Sequence, residues 1–328
     1  MLGVWTLLAT ICLASGCTHP KTPAEKTTTN ASTDGAPADD TPSSDSSSDT
    51  SSETGDSPEA TEGCTAWGTP EVVGEVSDSG LDEISGVVAS RRQSGVLWVH
   101  EDSGAGPFIT ALSASGETLA TVHLVGASSI DWEDIALAPC EGGDCLWIGD
   151  FGDNDEDRDD TVLLRVPEPL LTHGGGALEA TPEVFPFGYP EGPQNAEALV
   201  VNAEGVPYVL TKRTDASTRV YRVATDGSGE ATHVATVSTG PTDGLSTSTT
   251  AADLWPNGSR LVVRGYLYSF ELELGAEGMD GAADAPHTQV QTGVELQGEA
   301  IAYDAISNVI WHVGEGSRPP IWRIPCAD

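Results

Sequence analysis

Five times between Asp82 and Ile301 the chain repeats one pattern, a short segment usually led by an acid and running straight into apolar residues. The five are Asp82-Glu83-Ile84, Glu133-Asp134-Ile135, Glu197-Ala198-Leu199, Ala252-Asp253-Leu254 and Glu299-Ala300-Ile301. Each is followed by a turn and a second apolar run, such as Gly95-Val96-Leu97-Trp98-Val99, Asp144-Cys145-Leu146-Trp147-Ile148 or Asn308-Val309-Ile310-Trp311. Third runs follow, as in Thr218-Arg219-Val220-Tyr221-Arg222-Val223 and Pro320-Ile321-Trp322-Arg323-Ile324. A repeat of about 50 residues suits one four-stranded blade that buries its faces against its neighbours. The pattern predicts an all-β protein, a β-propeller of five blades, with six as the alternative if the segment from Ser238 to Thr250 holds another. No sustained apolar stripe at helical spacing competes with this, and the 37 Gly and 21 Pro supply frequent turns.

The ends of the repeat region carry a second test. The last repeat stops at Pro325-Cys326 after three strands, while a spare strand, Pro70 to Val76, precedes the first. That N-terminal strand is expected to complete the last blade, so that the ring closes and loses its exposed edges. Four cysteines lie in this region, which allows three pairings. Cys140 and Cys145 flank the turn Glu141-Gly142-Gly143-Asp144 and are expected to close it, which leaves Cys64 with Cys326 to staple the seam. Both bridges require an oxidising compartment.

Ahead of the repeats the chain changes character twice. Residues 1–16 form an apolar run too short for a comfortable membrane span and read as a cleaved signal peptide. The stretch Leu13-Ala14-Ser15-Gly16-Cys17 resembles the bacterial lipobox, which makes Cys17 the expected lipidation site; a plain secretory signal is the alternative. Residues 17–63 are rich in Thr, Ser, Asp and Pro with almost no large apolar side chain, so they cannot offset the entropy of ordering. This reads as an acidic, disordered linker joining a lipid anchor to a propeller at 64–328. The expected location is a bacterial cell envelope, outside the cytoplasm, with the chain a monomer. The formal net charge of −37 sets Asp and Glu against phosphate backbones, which argues against nucleic acid as a partner.

The polar residues that recur at strand ends are the candidates for a channel rim. Glu83, Glu133, Asp134, Glu197 and Glu299 stand at the starts of first strands, and Asp102, Asp150, Lys212, Arg264 and Glu315 near the ends of second strands. Carboxylates at one level of a ring repel one another until a cation, a proton or a basic side chain intervenes. Two readings follow, a ligand-binding ring and a set of braces between blades. The loop Asp150-Phe151-Gly152-Asp153-Asn154-Asp155-Glu156-Asp157-Arg158-Asp159-Asp160 is dense in oxygen donors, which suits Ca²⁺ chemistry. An EF-hand count begun at Asp153 fails, since Arg158 and Leu164 stand where Gly and Glu are needed. Glu133, Asp150 and Asp153 form the metal set considered. His100 and His312 end second strands of blades that would be neighbours, and no G-x-S-x-G elbow is present.

From Leu81 onward the chain resembles a group of exported bacterial β-propeller proteins related to the esterase-like phytase domains. The resemblance rests on Glu83-Ile84-Ser85-Gly86, Glu101-Asp102-Ser103-Gly104, Asp131-Trp132-Glu133-Asp134, Gly149-Asp150-Phe151-Gly152-Asp153-Asn154 with Arg158, Glu168-Pro169, Asn195-Ala196-Glu197-Ala198, Thr211-Lys212, Val263-Arg264-Gly265-Tyr266 and Gly298-Glu299-Ala300. It implies a propeller whose shared polar positions surround the channel, and no particular reaction. Two function classes are therefore expected. One is a lipid-anchored binding or scaffold module with an unidentified small-molecule or protein ligand. The other is a Ca²⁺-dependent hydrolase of esters or phosphoesters.

Overall fold

The computed structural model describes residues 64–171, 176–240, 244–295 and 297–327. The expected signal peptide, lipidation site Cys17 and linker lie outside them. The strand β1 (Glu71–Glu75) is followed by β2 (Ile84–Ala89), β3 (Val96–Glu101), β4 (Phe108–Ser113) and β5 (Thr118–Leu124), which form the first blade from centre to rim. The second blade contains β6 (Trp132–Cys140), β7 (Gly143–Asp150) and β8 (Val162–Pro167). The chain then leaves it as β9 (Gly176–Ala180), which pairs in parallel with β5 of the first blade, and returns as the outermost strand β10 (Glu183–Pro186). The third blade is β11 (Ala196–Val201), β12 (Pro207–Thr211), β13 (Ser217–Val223) and β14 (Ala231–Ser238). The fourth is β15 (Thr249–Leu254), β16 (Arg260–Gly265), β17 (Ser269–Glu273) and β18 (His287–Val290), and the fifth is β19 (Gly298–Asp304), β20 (Val309–Gly314) and β21 (Pro320–Pro325).

The fifth blade is completed by β1, which pairs antiparallel with β21. The expected closure by the N-terminal strand is therefore observed, and the propeller has five blades. Among the described residues the segment from Ser238 to Thr250 adds only a short 3-10 turn, Leu245–Thr247, and no sixth blade. Cys64 and Cys326 are bonded across this seam, and Cys140 is bonded to Cys145 at the β6–β7 hairpin. Two disulfides suit an oxidising, extracytoplasmic setting. No helix among the described residues is long and apolar enough to cross a membrane.

Burial falls from axis to rim. The inner strands β2, β11 and β19 are buried along their whole length, whereas β1 and β10 are mostly exposed. An inner strand touches a blade on each side, so alternate residues face different neighbours. Val88 packs with Trp98, Trp132 and Ile135 between blades one and two, while Val87 and Ala89 pack with Ala302 and Trp311 between blades five and one. This is why the inner strands read as unbroken apolar runs and not as alternations. Five such cores, one per blade boundary, hold the ring together. Each buried Leu, Ile or Val contributes roughly 1.5–3 kcal/mol by apolar transfer.

Candidate functional site

All five inner hairpins share a register shift at the same place, between Ile84 and Gly86, Trp132 and Asp134, Ala196 and Ala198, Thr249 and Ala251, and Gly298 and Ala300. A bulge there leaves one residue of the inner strand unpaired and re-aims its side chain. The five bulged residues are Ser85, Glu133, Glu197, Thr250 and Glu299, and all are buried. Glu133, Glu197 and Glu299 thus occupy the ring position expected for them. Glu83 does not. It is exposed in the link before β2, and Ser85 holds the equivalent place. In blade four the place belongs to Thr250, not to Ala252 or Asp253. The two hydroxyls act as ties to the next blade, Ser85 Oγ donating to the Glu133 carbonyl and Thr250 Oγ1 to the Gly298 carbonyl, each at 2.6 Å.

Because Trp132 pairs with Asp150 and Gly298 with Gly314, the start of each inner strand and the end of the next strand lie at one end of the ring. That end is the channel mouth. Here Asp102, Asp131, Glu133, Glu197, Glu299 and Glu315, drawn from blades one, two, three and five, act on one another electrostatically. The Lys212 ammonium donates to Glu197 at 2.7 Å and lies 5.1 Å from the Tyr266 ring centre. Burial alone would lower Lys212, but Glu197, Tyr266 and Glu299 outweigh it and raise it. One ammonium cannot neutralise six carboxylates. Burial, and then the neighbouring acids, accordingly push Asp102 and Glu299 each up to about 8. Glu133 is raised well above the usual carboxylate range by burial and then by Glu197.

The structure brings Glu133 together with Asp102 and Asp131, one carboxylate oxygen from each lying within 4.8 Å of the others. Asp102 Oδ1 is buried and accepts from no N–H or hydroxyl donor, and while a proton is held Asp102 and Asp131 share it in a carboxyl–carboxylate hydrogen bond. Gly152 shapes the pocket, because a Cβ at that position would come within 2.0 Å of Glu133 Oε1 and 2.5 Å of Asp131 Oδ2. The set of Glu133, Asp150 and Asp153 is not assembled. Asp150 is fully buried and accepts from Ile130 N, Asp131 N and the Arg158 guanidinium, the last at 2.9 Å. Asp153 closes its own loop by accepting from Asp157 N and Arg158 N. Arg158 also donates to the Gly152 carbonyl at 2.7 Å, so this Arg fixes the loop beneath the acidic pocket. Asn154 Oδ1 accepts from Asn195 Nδ2, while Asp155, Glu156, Asp157, Asp159 and Asp160 face solvent.

Other candidates brace the ring. Asp134 is fully buried and accepts from Ile135 N, Leu199 N and Ala252 N, capping inner-edge N–H groups of blades two, three and four. Arg264 is fully buried in an ion pair with Glu295. Glu315 accepts from Gln297 Nε2 at 2.6 Å. His100 and His312 are buried packing groups, His100 edge-on to Trp132 and His312 stacked on Trp322. Burial lowers each to about 4, so both are neutral at physiological pH. Asp131 and Tyr266 join the site from the Asp131-Trp132-Glu133-Asp134 and Val263-Arg264-Gly265-Tyr266 motifs, although neither is among the rim candidates named singly. Asp131 stands two residues before the bulged Glu133, the spacing that puts two side chains on one face of an extended segment.

No family model and no curated protein matches the chain, so the likeness to esterase-like phytase domains remains one of motifs. Solved structures do match in outline. The PQQ-bound aldose sugar dehydrogenase of Streptomyces coelicolor is 15% identical over 80% of this chain and 99% of its own, with a TM-score of 0.47. The major allergen Mala s 1 of Malassezia sympodialis is 14% identical over 77% of this chain and 96% of its own, with a TM-score of 0.49. The β-propeller domain of Cps50 (Swd1) from Myceliophteria thermophila is 12% identical over 75% and 84%, with a TM-score of 0.41. At these scores the similarities carry no argument of their own, and the propeller assignment stands on the strand pairing.

Proposed function

We propose that this chain is an extracytoplasmic binding module whose channel mouth takes a divalent cation through Asp102, Asp131 and Glu133. The observation that carries the reading is the pocket these three carboxylates make against Gly152, with Asp102 Oδ1 accepting from no N–H or hydroxyl donor. An all-oxygen, carboxylate-rich donor set suits Ca²⁺ and gives soft metals no sulfur or imidazole ligand. The cation would offset the burial and mutual repulsion that favour the protonated forms of these acids. Attachment to a bacterial membrane through Cys17 and the acidic linker belongs to the same reading and rests on the sequence alone.

The hydrolase alternative draws less support. Its general base would be Glu197 and its anion-stabilising group Lys212 or Arg264, yet Glu197 and Lys212 are held to each other at 2.7 Å and Arg264 is tied to Glu295. The test is calorimetric titration of chelator-treated protein with CaCl₂. One ion should bind, with a Kd in the range of about 10⁻⁵ to 10⁻³ M, and Glu133→Gln or Asp131→Asn should weaken it at least about tenfold. Absence of binding by the wild-type protein would reject the reading.

A further inference from the structure

Of the nine large apolar side chains most open to solvent among the described residues, five lie at the mouth end of the ring, while Val72, Val73 and Val184 lie on outer strands and Leu170 follows β8. Phe108, Val125, Ile130, Leu267 and Val294 are between 40% and 91% exposed, and all lie in links or strand starts at the mouth end. Among the described residues, the five inner hairpins at the opposite end expose no large apolar side chain. A bare metal ion has no use for such a collar. Two of these residues flank charged machinery on the side of blades four and five. Leu267 follows Tyr266, which lies against the Lys212 ammonium, and Val294 precedes Glu295, the partner of Arg264. On the same side Glu299 is only 4% exposed, and its Oε2 has no hydrogen-bond partner. It follows Gly298, whose pairing with Gly314 places it at the mouth, where Lys212, Arg264, Glu197 and Glu315 act on it.

We infer that this side of the mouth docks a basic segment of a protein partner, with a lysine or arginine side chain pairing with Glu299 while its apolar neighbours rest on Leu267 and Val294. Charge complementarity selects the partner, since the chain carries a net charge of −37 and the mouth has an excess of carboxylates. The exposed apolar side chains beside the acidic centre give a partner's apolar residues a surface to cover around the charge pair. The inference shares the mouth with the proposed cation site but uses different residues, so the two can fail separately.

The probes are fluorescein-labelled pentapeptides with Lys or Arg at the centre and Leu, Val or Phe flanks, followed by anisotropy against the purified protein. Saturable binding is expected, weakened about tenfold or more by Glu299→Gln and about threefold or more by Leu267→Ser with Val294→Ser. Val294 is 91% exposed, so its replacement leaves packing intact, and circular dichroism checks the fold of each variant. The inference is overturned if no peptide binds, if a norleucine-centred peptide binds as tightly as the lysine one, or if neither variant weakens binding. Displacement by equimolar spermidine would also overturn it, by assigning the site to a small polyamine. A CaCl₂ titration on the same samples separates the two readings. Calcium binding without peptide binding removes only the docking face, and the reverse removes only the metal.

Discussion

If the mouth acids are held protonated until a cation arrives, stability must fall as pH rises, and calcium must cancel that fall. Asp102 and Glu299 are each pushed up to about 8, mainly by burial and then by neighbouring carboxylates. In the unfolded chain both titrate near 4. The folded protein therefore keeps protons that the unfolded chain has released, and the stability this confers is lost as pH rises through about 8. His100 and His312, lowered to about 4 by burial, act in the opposite sense. Their contribution ends near pH 6.5, where the unfolded imidazoles have lost their protons. The clean window is therefore from about pH 6.5 to 8. One proton of difference corresponds to about 1.4 kcal/mol per pH unit, or about 3 °C in Tm for a domain of this size, and two protons to about twice that. Asp253, raised to about 7 by burial, adds in the same direction. The assay is calorimetric Tm at half-unit steps through this window, in EGTA and then in millimolar CaCl₂. Tm should fall with pH in EGTA and level off or rise in calcium, because the ion binds the deprotonated cluster. A flat profile in EGTA would refute the protonated mouth, and the same slope in calcium would refute its filling by the ion.

Other perturbations test the parts separately. Gly152→Ala, whose added methyl would collide with Glu133 and Asp131, should weaken calcium binding at least about tenfold in titration calorimetry while the far-ultraviolet spectrum stays unchanged. Asp134→Ala should cost about 3 kcal/mol or more in urea denaturation, because it strips acceptors from buried N–H groups of Leu199 and Ala252. The seam disulfide spans a sequence separation of 262 and the hairpin disulfide one of 5. Replacing Cys64 and Cys326 by Ser should therefore lower stability by about 4–5 kcal/mol, against about 2 kcal/mol for Cys140 and Cys145. Equal losses of Tm would show that the seam bridge does not constrain the unfolded chain.

Blade count, closure by the first strand and both disulfides were legible because each is written as a long-range count: strands per repeat, a strand left over, cysteines at the ends. The site was legible only where one carboxylate sits on the bulge. Placing Asp82-Glu83-Ile84 and Ala252-Asp253-Leu254 level with Glu133-Asp134-Ile135 slips blade one back by three residues, where the unbroken burial of Ile84–Ala89 hides the change of face, and blade four forward by two. A two-residue slip keeps every side chain on its own face of the strand, so hydrophobic patterning is blind to it. The second strands hold a better reference. Trp98, Trp147 and Trp311 pair with Val88, Ala136 and Ala302, each three residues after the bulge, and counting back from them reaches Ser85, Glu133 and Glu299. The acidic loop misled for a different reason, since Asp150 and Asp153 look like metal ligands until Arg158 is seen to occupy one and the loop backbone both. Arg158 follows them by only a few residues, yet no spacing rule says whether a nearby cation will fold back onto its own loop. What separates bracing acids from binding acids is the supply of donors around each oxygen. Asp134 and Asp150 are saturated with donors, whereas Asp102 and Glu299 each retain a buried oxygen with none. That distinction turns on backbone N–H directions, which the bulges set, and it is the reason the mouth and not the acidic loop is where a cation should be sought.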